Sequence, residues 1–151
     1  MIFQGKKEEK EVSNLQERFK LKKRILVADD DGVILTSLQE ILEVSGYEVI
    51  TTTNGKECLE KFISEKPDLV VLDIMMPGMD GYDFLVSLKQ MAALEPDNIG
   101  LPHILNTPVI VVTARGDDKA KDMIGKENIK DYIVKPYDVP ELLAKIKKLL
   151  E

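Results

Sequence analysis

Cysteine and histidine each occur once in this chain of 151 residues, as Cys58 and His103. A single cysteine excludes an intramolecular disulfide framework and suits a reducing cytoplasm, the expected location. A single histidine, with no partner at ligand spacing, supports neither a histidine-ligated metal site nor a His-based triad. No apolar run approaches the roughly 20 residues that a membrane span needs, so no membrane association is expected. Met1, Ile2 and Phe3 give way at once to polar residues, which does not describe a signal peptide. Internal repeats and low-complexity segments are lacking as well.

What is present is 44% hydrophobic and 32% charged residues, a soluble globular composition long enough for one core. The net charge of −6 is unevenly spread: residues 1–24 hold eight Lys/Arg and four Glu, the rest 13 basic and 23 acidic side chains. The acidic body argues against direct nucleic-acid binding. In the basic tail, Glu8, Glu9, Glu11 and Glu17 dilute the positive charge, while Val12, Leu15 and Phe19 recur at helical spacing. Residues 1–22 therefore read as a tail or linker, either a short amphipathic helix or solvated chain, and 23–151 as the folded domain.

From residue 25 the pattern alternates strand and helix five times. Ile25–Ala28 is apolar and runs into Asp29, Asp30 and Asp31. Ile34, Leu38, Ile41 and Leu42 share a helical face that Gly46 ends. Tyr47–Thr53 is a β-branched strand, and Asn54 with Glu57 forms a capping pair for a helix closed before Pro67. Asp68–Ile74 reads as a buried strand, followed by Pro77-Gly78 and Asp80-Gly81 turns and a helix from about Tyr82 to Leu94. Pro108–Val112 is a fourth apolar run, a weak helix lies near Lys119–Ile124, and Ile129–Val134 is the fifth strand. Asp138 and Glu141 cap a last helix with a Leu142, Ile146, Leu149 stripe. Continuous apolar strands separated by helices predict a five-stranded doubly wound α/β domain with a parallel sheet covered on both faces.

Ligands in such sheets bind beyond the carboxyl ends of the strands. There the sequence places Asp29 and Asp30 after strand one, Asp73 after strand three, Thr113 and Ala114 after strand four, and Lys135 after strand five. Three carboxylates on one rim repel one another and call for a cation; Mg²⁺, which prefers oxygen ligands, fits, and without it Lys135 neutralises part of the cluster. A carboxylate nucleophile, a metal, an ammonium and a hydroxyl are the parts of an in-line phosphoryl transfer. Singly, each residue has a plainer reading: Asp29 or Asp30 as a helix cap, Thr113 as a strand end, Lys135 as surface, Tyr132 as core.

Val27-Ala28-Asp29-Asp30-Asp31, Val71 through Gly81 (VLDIMMPGMDG), Val111-Val112-Thr113-Ala114 and Asp131-Tyr132-Ile133-Val134-Lys135-Pro136 resemble the four signature blocks of two-component response-regulator receiver domains, over about residues 23–151. The resemblance implies the flavodoxin-like, CheY-like fold, strand order 2-1-3-4-5 with five helices. It implies Asp73 as phosphoacceptor, and Asp30, Asp73 and the Met75 carbonyl as Mg²⁺ ligands, with Asp29 acting nearby. Lys135 would pair with Asp73 and then with the phosphoryl group. Thr113 and the Ala114 backbone N–H would bind phosphoryl oxygens. Thr113 and Tyr132 would act as switch residues for the face of the fourth helix, fifth strand and fifth helix. Met75 and Arg115 would slow self-hydrolysis of the acyl phosphate. Implied partners are a sensor histidine kinase or histidine phosphotransfer protein, a downstream protein target, and a second copy on phosphorylation.

The sequence departs from the family pattern twice. Glu95–Thr107 is longer than receivers usually have at that point, and Asn128-Ile129 replaces a common Gly-Ala before strand five. A Mg²⁺-dependent phosphohydrolase of the haloacid-dehalogenase type would need a second Asp where Met75 stands. A constitutive interaction module would not need the acidic pair, Thr113 and Lys135. The expectation is a signalling domain that assists its own phosphorylation and dephosphorylation, not an enzyme. As read, no output domain follows Leu150, which leaves open a stand-alone receiver or a segment of a larger regulator or hybrid kinase.

Overall fold

The apolar runs become strands β1 (Arg24–Ala28), β2 (Glu48–Thr52), β3 (Leu69–Asp73), β4 (Val109–Ala114) and β5 (Ile129–Lys135). They belong to a computed structural model that describes residues 5–11, 22–76, 81–94, 106–114 and 129–151. Helices α1 (Gly32–Val44), α2 (Gly55–Glu65), α3 (Gly81–Leu94) and α4 (Val139–Leu150) accompany the strands. Residues 5–11 are helical and exposed. Val12, Leu15, Phe19, the Pro77–Asp80 turns, residues 95–105 with His103, Arg115, the helix expected near 119–124 and Asn128 lie outside the described residues.

All five strands are parallel, in the order β2-β1-β3-β4-β5. This is the doubly wound arrangement expected. β3 is central and buried at every position, which is why it reads as an unbroken apolar run rather than an alternating one. Successive β1 residues still point to opposite faces. Leu26 and Ala28 join a core with Cys58 and Phe62 of α2 and Phe84, Leu85 and Leu88 of α3. Ile25 and Val27 join a second core with Leu35, Leu38 and Leu42 of α1 and Leu142 and Ile146 of α4. Phe62 and Phe84 meet edge to face, with ring centroids 5.8 Å apart, and lock α2 to α3.

Helix ends account for most differences from the sequence reading. Asp31, not Asp29 or Asp30, caps α1: its carboxylate accepts from the backbone N–H groups of Val33 at 2.9 Å and Ile34 at 3.3 Å. Asn54 caps α2 as expected, accepting from the Glu57 N–H at 2.8 Å. Asp138 holds the capping position of α4 but makes no side-chain cap bond. Pro140 in the first turn of that helix has no N–H to offer it. Gly46 ends α1 with φ +97°, and Lys66 ends α2 in the left-handed region at φ 48°.

β5 carries a bulge that sequence patterning did not reveal. Val109 pairs with Ile129 but Ile110 pairs with Asp131, which leaves Lys130 as the extra residue. The bulge reverses the faces beyond it, so Ile129 lies in the first core and Ile133 in the second although they are four residues apart. Tyr132 consequently packs on the same core as Ile129. Asp131 pairs through both carboxylate oxygens with Lys145 of α4, at 3.0 Å each. Ile129, the bulky residue of the departure noted above, is fully absorbed in the core.

Cys58 is completely buried beside Thr52, and burial pushes its thiol up to about 12 from the ordinary value near 9. A folded-state value above the unfolded one stabilises the fold fully below the unfolded value and ceases to as pH rises through the folded value. Relative to Cys58→Ala, the wild type is therefore expected to lose about 1–2 kcal/mol of stability between about pH 8 and about pH 10.5. Urea unfolding of both proteins across that range checks this; parallel pH curves contradict it.

Candidate functional site

The register of the sheet builds the site. Ala28 of β1 pairs with Leu72 of β3, so the next residues, Asp29 and Asp73, emerge on neighbouring strands at the same rim. Lys135 ends β5, two strand spacings or roughly 10 Å from β3, and its long side chain meets the Asp73 carboxylate across that gap. Its ammonium lies 2.8 Å from Asp29 Oδ2 and 2.9 Å from Asp73 Oδ2. The two carboxylates are 4% and 6% exposed at the side chain, so this ion pair is shielded from water on most sides.

Each carboxylate is held at its other oxygen by its own chain. Asp29 Oδ1 accepts from the Asp31 N–H and Asp73 Oδ1 from the Met75 N–H, both at 2.9 Å. Both are Asx turns, which aim a short acidic side chain without help from another element. Asp30 is exposed, yet one of its oxygens lies within 4.8 Å of an oxygen of Asp29 and of Asp73. Three hard oxygen donors this close suit a divalent cation such as Mg²⁺, and the donor set thus fits the metal that the sequence implied.

The electrostatics follow from burial. Burial raises the Asp73 carboxyl above its ordinary value, against the pull of Lys135 and the Met75 N–H; the Asp29 charge raises it further. Burial would lower the Lys135 ammonium, but its bonds to Asp29 and Asp73 outweigh that and hold it above the ordinary lysine value. The two shifts are compatible, because one cation serves two carboxylates.

Thr113 is buried at the end of β4, and its hydroxyl donates to the Ala114 carbonyl at a long 3.5 Å. Ala114 is exposed at the rim and pairs with Lys135 in the sheet. Met75 is 67% exposed, whereas its neighbour Met76 is buried. Tyr132 is half-buried. The structure therefore brings together Asp29, Asp30, Asp73 and Lys135, sets Met75 and Ala114 on the same rim, and leaves Thr113 turned to its own backbone.

Two features escaped the sequence reading. The Lys135–Pro136 peptide is cis. An apolar groove of about 500 Å³ opens beside Lys135, lined by Val33, Ile34 and Leu38 of α1 together with Ala114, Tyr137 and Val139. The phenol of Tyr137 is pushed up to about 12, by burial first and by the Asp29 charge second, which places it in the field of the acidic cluster. The signal that could have found the groove was Val33, an apolar residue off the α1 stripe and 77% exposed.

Comparison with known proteins agrees with this geometry. The sequence model of the response regulator receiver domain matches residues 25–147, and the chain belongs to that family. It is 39% identical over 131 residues to the alkaline phosphatase synthesis transcriptional regulatory protein PhoP of Bacillus subtilis, covering 86% of this chain and 49% of that protein. It is likewise 39% identical over 129 residues to the transcriptional regulatory protein PrrA of Mycobacterium tuberculosis, covering 84% and 49%. The chain thus spans about half the length of these curated relatives. Among solved structures, the receiver domain of the Francisella response regulator 1452 superposes with a TM-score of 0.71 at 29% identity, over 85% of this chain and 97% of that one. A receiver domain protein from Methanospirillum hungatei gives 0.68 at 33%, over 85% and 94%. The chain is a receiver domain of the two-component type, a module of phosphorylation-dependent signalling. No helix among the described residues is long and apolar enough to cross a membrane.

An ionised Asp73 is disfavoured by folding, a cost absent below the ordinary carboxyl value of 3.8 and felt as pH rises through the raised native value. Asp73→Asn is accordingly expected to unfold at a higher urea concentration than wild type at neutral pH in metal-free buffer. The gap should close as pH falls below that ordinary value; a mutant less stable than wild type at pH 7 contradicts this.

Proposed function

We propose that the chain takes a phosphoryl group on Asp73 from a phosphohistidine on a sensor histidine kinase or histidine phosphotransfer protein, with Mg²⁺ bound, and that a downstream protein reads the result. The observation that carries the reading is Asp73 itself, a carboxylate buried at the strand end, with Lys135 on one oxygen and the Met75 N–H on the other. In this account Asp73 attacks the phosphorus, an O–P bond forms and the N–P bond breaks. The departing ring nitrogen keeps the electron pair, and a proton from water completes the imidazole. Bound by Asp30, Asp73 and the Met75 carbonyl, with Asp29 close by, Mg²⁺ would offset the charge that gathers on the phosphoryl oxygens. Lys135 stays on the rim to pair with a phosphoryl oxygen, and the Ala114 N–H and the Thr113 hydroxyl supply further donors.

The new group adds roughly −1.5 to −2 charge at the rim. Thr113 leaves its weak bond to the Ala114 carbonyl for the phosphoryl group. The space it vacates lies on the same side of the sheet as Tyr132, which then turns inward and reshapes the face of β5, α4 and the expected helix near 119–124. That face is where a downstream protein or a second copy would bind. Residues 1–22 serve as a tail or linker outside this module.

Intact mass after incubation with acetyl phosphate tests the proposal. A single phosphoryl adduct that requires Mg²⁺ and is absent from Asp73→Asn is the expected result. An adduct retained by Asp73→Asn, or neither an adduct nor beryllofluoride binding by wild type, contradicts it.

A further inference from the structure

Two cavities lie end to end between α1 and α4. The groove beside Lys135 takes in Ile34, Leu38 and Ile41 of α1 and Val139 of α4. A second cavity, of about 360 Å³, opens one helical turn further along both helices, at Ser45 just past α1 and at Leu143 of α4. Tyr47, Lys147, Leu150 and Lys23 complete its lining. Together the two form a furrow along the α1–α4 seam, from the Lys135 rim to the point where residues 1–22 join the domain. From this we infer that the furrow is the seat of the chain's own tail, which docks in it through Phe19, Leu15 and Val12. This holds whether or not Asp73 is the phosphoacceptor.

The floor of the furrow is apolar and incompletely covered. Ile34, Tyr47, Tyr137, Leu143 and Leu150 pack on the second core yet stay only partly buried, and a segment laid over them completes that burial. The junction with the tail is fixed at the lower mouth, where the Lys23 carbonyl accepts from the Glu48 N–H at 2.9 Å. Phe19 stands four residues before Lys23, about 6 Å away along a helix and about 14 Å along extended chain, so its ring reaches the lower cavity by either route. Length agrees as well. A helix over residues 12–22 is about 16 Å long, and α1 from Val33 to Ser45 runs for about 18 Å. Val12, Leu15 and Phe19 share one face of such a helix. Charge is complementary on the α1 side, which carries exposed Glu40 and Glu43 and no Lys or Arg, while the tail brings Arg18, Lys20 and Lys22. On the α4 side Lys147 is paired with Glu151 at 3.8 Å, which offsets its repulsion of the tail. A tether this short holds the segment at a high effective concentration, so a weak contact suffices. The docked tail runs antiparallel to β1 and makes Val12 part of the surface beside Lys135.

Paramagnetic broadening on the whole chain tests this. Cys58 is completely buried, so a maleimide nitroxide attaches to a cysteine introduced in the tail by Asn14→Cys, off the apolar stripe. The methyl resonances of Ile34, Ile41, Val139 and Leu143 should lose most of their intensity. Those of Ile63 and Val86, on the helices across the sheet, should stay sharp. Adding Phe19→Ser to the labelled chain should restore the broadened lines, with the amide resonances of β1 and β3 unmoved. A mixture of isotope-labelled chain without nitroxide and unlabelled chain with it separates a chain's own tail from that of a second copy, and should show no broadening. Broadening in that mixture assigns the furrow to a second copy and overturns the intramolecular seat. No broadening, equal broadening on both faces of the sheet, or broadening that survives Phe19→Ser overturns the docking itself.

Discussion

Two ionised carboxylates buried on neighbouring strand ends need a cation between them. Asp29 and Asp73 are brought side by side by the β1–β3 register and are nearly shut off from water. Lys135 reaches them from β5 and bonds both. Remove that ammonium, or the metal that can stand in for it, and like charges face each other with little water to screen them. The fold answers to this constraint. A parallel sheet covered on both faces lets three strands deliver their last side chains to one rim, and the Asx turns at Asp29 and Asp73 hold those side chains to about one orientation.

Much of this was legible in the sequence because the sheet is buried on both sides. Strands such as Leu69–Asp73 then read as unbroken apolar runs, and the polar residue ending each run marks the rim. Strand and helix order, the doubly wound class and the residues at the rim therefore emerge from patterning alone. The family's motif blocks add the strand order and imply roles for the residues.

What patterning could not resolve depends on geometry finer than periodicity. Three consecutive aspartates look alike in a sequence, yet Asp29 turns to the pocket, Asp30 stays exposed and Asp31 caps α1. The bulge at Lys130 is one extra residue in a strand that otherwise reads as regular, and it decides which core Tyr132 joins. The Lys135–Asp29 contact joins the ends of β5 and β1, three strand spacings apart, which no local pattern encodes. The groove at Tyr137 likewise is lined by α1, the ends of β4 and β5 and the start of α4, segments far apart in sequence.

The central claim is that this rim makes Asp73, among three neighbouring aspartates, the residue that becomes an acyl phosphate. Its two oxygens are held by the Lys135 ammonium and the Met75 N–H; Asp29 is held in the same way at the end of β1, but Asp73 ends the central strand β3, and Asp30 is open to solvent. Reductive trapping with borohydride after phosphorylation converts an aspartyl phosphate to homoserine, and tandem mass spectrometry of the digest locates it. The account predicts homoserine at position 73 alone; homoserine at position 29 or 30, or none on a chain that carries the phosphoryl group, would contradict it.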